Sequence, residues 1–106
     1  MSWIYLAIAG ILEIGWPFGL KMSQTAESNK MLWIIFAVVS MAGSGVFLWL
    51  AQKTIPMGTA YAIWTGIGAV GAFMLGVIYF HDAAGMFRII SVTLIILGII
   101  GLKISS

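Results

Sequence analysis

Four stretches of this chain are nearly continuous in apolar residues, and short polar segments separate them. The first runs from Trp3 to Leu20, the second from Met31 to Ala51 and the third from Thr59 to Phe80. The fourth, Ile89 to Leu102, is shorter and is bounded by Arg88 and Lys103. An α-helix rises about 1.5 Å per residue and a bilayer's hydrocarbon core is about 30 Å thick, so a run of about 18–22 residues can cross it. The last run has only about 14 strictly apolar residues, and it crosses if Arg88 and Lys103 reach out to the headgroups. The pattern predicts an all-α membrane protein, one domain over residues 1–106 with four transmembrane helices at about 3–20, 31–51, 59–80 and 86–103. The first run reads as a span rather than a cleaved leader, because no basic residue precedes it and no small-x-small site closes it.

The connections are KMSQTAESNK (Lys21–Lys30), QKTIPMG (Gln52–Gly58) and HDAAGMF (His81–Phe87). Pro56 and Gly58 stop one helix and start the next. Loops this short make consecutive helices antiparallel. No internal repeat is visible in the sequence.

Composition agrees with the pattern. The chain is 62% hydrophobic and 8% charged, with a mean hydropathy of +1.14, whereas a soluble domain is about 25% charged. A chain this short buries only about 60–70% of its unfolded surface, too little to hide so much apolar area from water. Cysteine is absent, which leaves no disulfide, thiolate nucleophile or cysteine metal site. The net charge of +2 comes from scattered residues and forms no patch suited to nucleic acid. No phosphate loop, nucleophile–base pair or metal cluster is present, so neither an enzyme nor a cofactor is expected, and His81 reads as a surface residue.

Basic residues also bear on orientation. With four spans, Lys53 and Lys103 lie on one side, and Lys21, Lys30 and Arg88 on the other. Lysine and arginine asymmetry sets topology, and two against three is almost none. Either a weak preference is resolved by details of insertion, or the chain inserts both ways round. Many transporters need inverted-topology repeats, and a chain without one obtains it by pairing with an oppositely inserted copy.

Glu13 is the only acidic residue within the four runs. It lies about ten residues beyond Trp3, roughly 15 Å along a helix and close to the bilayer midplane. A charge there costs roughly 2.5–3.5 kcal/mol on insertion scales, unless it faces a cavity or a partner. One reading is a protonated glutamate bonded to another helix. The other is a site where a proton and a cation compete for one carboxylate, which couples their movements. Trp16, three residues on, shares the face of Glu13 and offers an N–H donor and a π face, or else packs against lipid. Pro17 deprives the Glu13 carbonyl of its helical donor, either as an ordinary kink or as a local opening beside the site.

The other helices carry small residues and aromatics. In SMAGSG (Ser40–Gly45), small residues and two hydroxyls sit mid-span, suited to close helix approach, with Ser44 either packing or bonding. Tyr61 and Trp64 share a face of the third helix. Ala60, Gly68, Ala72 and Gly76 form a small-residue line on it, and Gly66 and Gly68 make it easier to bend. Gly98 and Gly101 suggest a close contact of the fourth helix, between subunits.

Four short helices, a lone glutamate in the first and PMGTAYAIWTGIGA (Pro56–Ala69) opening the third resemble the small multidrug resistance transporters over essentially the whole chain. The tryptophan after the glutamate and GIIGLK (Gly98–Lys103) resemble the guanidinium exporter subtype rather than the polyaromatic-cation subtype. The resemblance implies an antiparallel, dual-topology homodimer in the bacterial inner membrane that exchanges protons for guanidinium-type cations. It implies that Glu13 is the proton- and substrate-binding carboxylate, with Trp16 and Ser44 positioning it by hydrogen bonds. Tyr61 and Trp64 then line the site, Gly10 supplies a small residue one turn before the carboxylate, and Gly66 and Gly68 form the bend of the third helix. The pattern leads one to expect a small residue after Trp16, yet Pro17 and Phe18 follow; a distorted first helix suits substituted guanidiniums. Two alternatives remain at this stage: a broad exporter of quaternary ammonium and lipophilic aromatic cations, and a membrane subunit that does not transport.

Overall fold

In hydrocarbon a chain must satisfy its backbone N–H and C=O groups within itself, and a helix does so residue by residue. The computed structural model describes Met1–Ser106 and contains α1 (Ser2–Thr25), α2 (Lys30–Ala51), α3 (Met57–Ile78) and α4 (Met86–Ile104). All four are long and apolar enough to cross a membrane, which makes this a multi-pass membrane protein.

Helix α1 runs five residues beyond its apolar stretch, to Thr25, and so carries Lys21 on a last polar turn. Nothing in Lys21–Thr25 breaks a helix. The hydroxyls of Ser23 and Thr25 fold back onto the carbonyls of Leu20 and Met22, at 2.7 and 3.3 Å. The turn to α2 is correspondingly short, and Asn29 closes it in the left-handed region at φ 64°, where asparagine is tolerated better than most residues. Pro17 sits inside α1 without ending it.

Helix α1 packs against both α2 and α3, while α4 packs mainly against α3. Lipid tails are as apolar as leucine, so helices in a membrane associate through close packing, and small residues allow it. The contacts of α1 follow this rule in both directions. A methyl group added at Gly10 would lie 2.7 Å from Ile67 Cγ2 of α3, and Ile14 of α1 fills the space over Gly71. On the other side, a methyl at Gly15 would lie 2.9 Å from Ser40 Oγ, and one at Gly19 3.0 Å from the Trp33 carbonyl oxygen. At the end of the bundle where α1 and α3 begin, Leu6, Ala51, Ile55, Ala60 and Ile63 form an apolar core.

No residue of α4 is buried, and Gly98 and Gly101 have open space in front of them. The Cα atoms span 46 × 34 × 16 Å, so the protomer is flattened. The protomer is a slab of helices with both faces open. Lys53 lies 4.8 Å over the Trp49 ring and Lys103 4.4 Å over the Trp3 ring. Both pairs stand at helix ends, where amphipathic aromatic and basic side chains mark the membrane–water boundary.

Gly71→Ala should force Ile14 out of its seat and cost about 1–3 kcal/mol, the usual penalty of overpacking. Reversible unfolding in detergent micelles measures this. The double variant with Ile14→Ala should lose clearly less than the sum of the two single losses.

Candidate cation-binding site

The interlocked contacts of α1 with α3 fix the position of Glu13. Ile67 lies over Gly10 one turn before it, and Ile14 lies over Gly71 just after it. Between these contacts, the Glu13 side chain runs across Gly68, where an added methyl would stand 2.6 Å from Glu13 Cγ. Gly68 is therefore a notch that the carboxylate stem occupies. Glu13 itself is half-buried.

Helix α2 contributes Ser44, which is fully buried. Its hydroxyl donates to the Ala9 carbonyl at 2.7 Å and accepts the indole N–H of Trp64 at 2.7 Å. Buried polar groups need partners, and here both are supplied. The relay ties α3 to α2 and α2 to the backbone of α1 one turn before Glu13. It also commits the indole's single donor, so Trp64 presents to its surroundings only a π face, the part of an indole that attracts cations. Tyr61 tilts against Trp64 with ring centroids 5.3 Å apart. It is 55% exposed and widens the aromatic wall on the open face.

Of the residues expected here from sequence, Ser44 and Trp64 are joined by a hydrogen bond, Tyr61 packs on Trp64, and Glu13 and Gly10 of α1 lie against Gly68 and Ile67 of α3. Trp16 is half-buried on α1 and takes no part in the relay. Helix α3 continues unbroken through Gly66 and Gly68. Each glycine has a packing occupant: Ile99 of α4 sits against Gly66 and Glu13 against Gly68. Two participants escaped the sequence reading. Ala9 acts through its carbonyl, which no side chain advertises. The fit of Glu13 into Gly68 is a pairing between helices, and within α3 that glycine looks like any other small residue.

A half-buried carboxylate on α1 and the aromatic pair Tyr61 and Trp64 on α3 are groups suited to holding a cation. The protein-family model described as Small Multidrug Resistance protein matches residues 1–95. A guanidinium exporter of Yersinia pseudotuberculosis is 48% identical over 106 residues, covering all of both chains. The guanidinium exporter of Escherichia coli strain K12 is 47% identical, over all of this chain and 99% of the relative. That of Salmonella typhimurium is 48% identical with the same coverage.

Ser44→Ala should leave the Trp64 N–H buried without its partner, at a cost of about 1–3 kcal/mol. The indole N–H resonance of Trp64 should shift upfield in an NMR spectrum while the other tryptophan signals stay in place.

Proposed function

Since this chain belongs to the small multidrug resistance family, and is thus a transporter rather than an enzyme, we propose that it is a proton-coupled antiporter exporting guanidinium and small substituted guanidiniums. The full-length likeness to guanidinium exporters supports the substrate class. The arrangement of Glu13 beside Trp64 and Tyr61 supports the mechanism. A guanidinium is flat and carries its N–H donors in one plane. A carboxylate accepts two of them side by side, and an aromatic face attracts the same cation from above.

In this reading Glu13 holds either a proton or the cation, never both, so an outward cation is exchanged for an inward proton. Ser44 fixes the aromatic wall through Trp64, Tyr61 lines the exposed side, Trp16 lines the site next to the carboxylate, Gly10 seats Ile67 one turn before the carboxylate, and Gly68 leaves room for the stem of Glu13. Gly66 and Gly68 give α3 its bend as the site changes sides. Glu13 is only half-buried within one protomer. A second copy laid against the open face would bring a second Glu13 and complete the chamber. The near-equal basic charge on the two sides supports opposite insertion of the copies in a bacterial inner membrane. Such a pair supplies the inverted symmetry on which alternating access rests.

Reconstituted in liposomes, the protein should generate guanidinium-dependent currents and acidify or alkalinise the lumen according to the direction of the cation gradient. Glu13→Gln should abolish both. Currents that persist in Glu13→Gln, still coupled to protons, would refute the role of the carboxylate. Mono-substituted guanidiniums should also move, and strict restriction to the unsubstituted ion would refute the wider substrate range.

A further inference from the structure

Beyond Glu13, α1 forms one wall of a second polar feature. A cavity of about 230 Å³ opens between the end of α1 and the end of α3. Pro17, Phe18 and Lys21 line it from α1, and Gly76, Phe80 and Asp82 from α3 and the turn that follows. Pro17 lies one helical turn past Glu13 and Lys21 two turns past it, about 6 and 12 Å along the axis. The cavity thus occupies the stretch between the level of Glu13 and the end of the helix.

The carboxylate in this cavity is held in place. After α3 the chain doubles back through His81, which adopts the left-handed region at φ 60°. The Asp82 N–H then donates to the Gly76 carbonyl at 2.9 Å. Asp82 Oδ2 fills the space in front of Gly76, 2.5 Å from where a methyl group would stand. This is an unfavourable place for an anion. The carboxyl end of a helix already carries negative potential, and a cation is what stabilises it. The α1 wall offers Lys21, but it also offers the ring of Phe18, which meets Phe80 at 5.9 Å between centroids. An anion at a helix carboxyl end, in a cavity lined by aromatic rings one to two turns beyond Glu13, is a place for a mobile cation.

We propose that this cavity is a staging site for the transported cation, in which Asp82 and the rings of Phe18 and Phe80 hold a guanidinium-type ion between the aqueous phase and Glu13. The site rests on the transport reading above. Lys21 competes with the substrate for Asp82, so the two residues act in opposite senses: Asp82 draws the cation in and Lys21 restrains it. Pro17 acquires a role as well, since it forms the inner wall of the cavity on the side of Glu13.

The test is concentration dependence of currents in proteoliposomes, with guanidinium and butylguanidinium as probes at low and high ionic strength. Asp82→Asn should raise KM roughly two- to fivefold, the scale of an exposed ion pair, with the maximal current little changed. The difference should shrink in high salt, because exposed charges are screened. Asp82→Glu should restore most of the affinity, and Gly76→Ala, which displaces the carboxylate, should reproduce the loss. Lys21→Gln should lower KM; it also carries the test if Asp82→Asn proves unstable. An unchanged KM in Asp82→Asn, or shifts of the same sign in Asp82→Asn and Lys21→Gln, would overturn the staging site while leaving the Glu13 mechanism standing. A wild-type protein that passes no guanidinium current would overturn the transport reading, and this site with it.

Discussion

The close approach of α1 to its two neighbours is the contact on which everything else in this protomer depends. In water, hydrophobic burial would bring these helices together almost regardless of which apolar residues faced each other. In lipid that drive is missing, and association comes from surfaces that fit. Gly10 and Gly71 accept isoleucines from the opposite helix, and Gly15 and Gly19 accept α2. Because the bulky and the small partners alternate between α1 and α3, the two helices are fixed in register along their length. Glu13 falls inside this register, against Gly68, so its placement follows from the packing rather than from any bond to its carboxylate.

This arrangement explains how a costly group is kept in the membrane. Glu13 is neither sealed in a core nor turned to lipid. It lies along a helix seam with its stem packed against Gly68, and the residue is half-buried. The polar relay of Trp64, Ser44 and Ala9 runs behind it and is internally complete. A buried network in which every member is satisfied rigidifies its surroundings. The side that meets the cation can therefore remain open while the side that meets the protein is fixed.

Much of this was legible from residues alone, for identifiable reasons. The four spans are visible because lipid demands long apolar runs, and Glu13 stands out because the runs hold no other acid. Tyr61 and Trp64 are neighbours by helical spacing, which is also a property of one segment. What was hidden depends on pairing between segments. The partners of the α3 glycines are such pairings: Ile99 sits against Gly66 and Glu13 against Gly68. Helix α1 outlasts its apolar run because Lys21–Thr25 can be helical while wet, which hydropathy cannot register. Asp82 looks like a loop residue until the turn at His81 folds it onto Gly76.

The relay through Ser44 also has a mechanical side. Trp64 is fastened to a hydroxyl on α2, and that hydroxyl to the backbone of α1. While both bonds last, neither α1 nor α3 can slide along its own axis without dragging the other. The three helices thus behave as a single lever with the aromatic wall and the carboxylate riding on it together. Helix α4 packs mainly against α3 and buries none of its own residues, so it stands outside this coupled group. Movement of any one of the three coupled helices along its axis would therefore be felt by the other two, a coupling that packing alone does not supply.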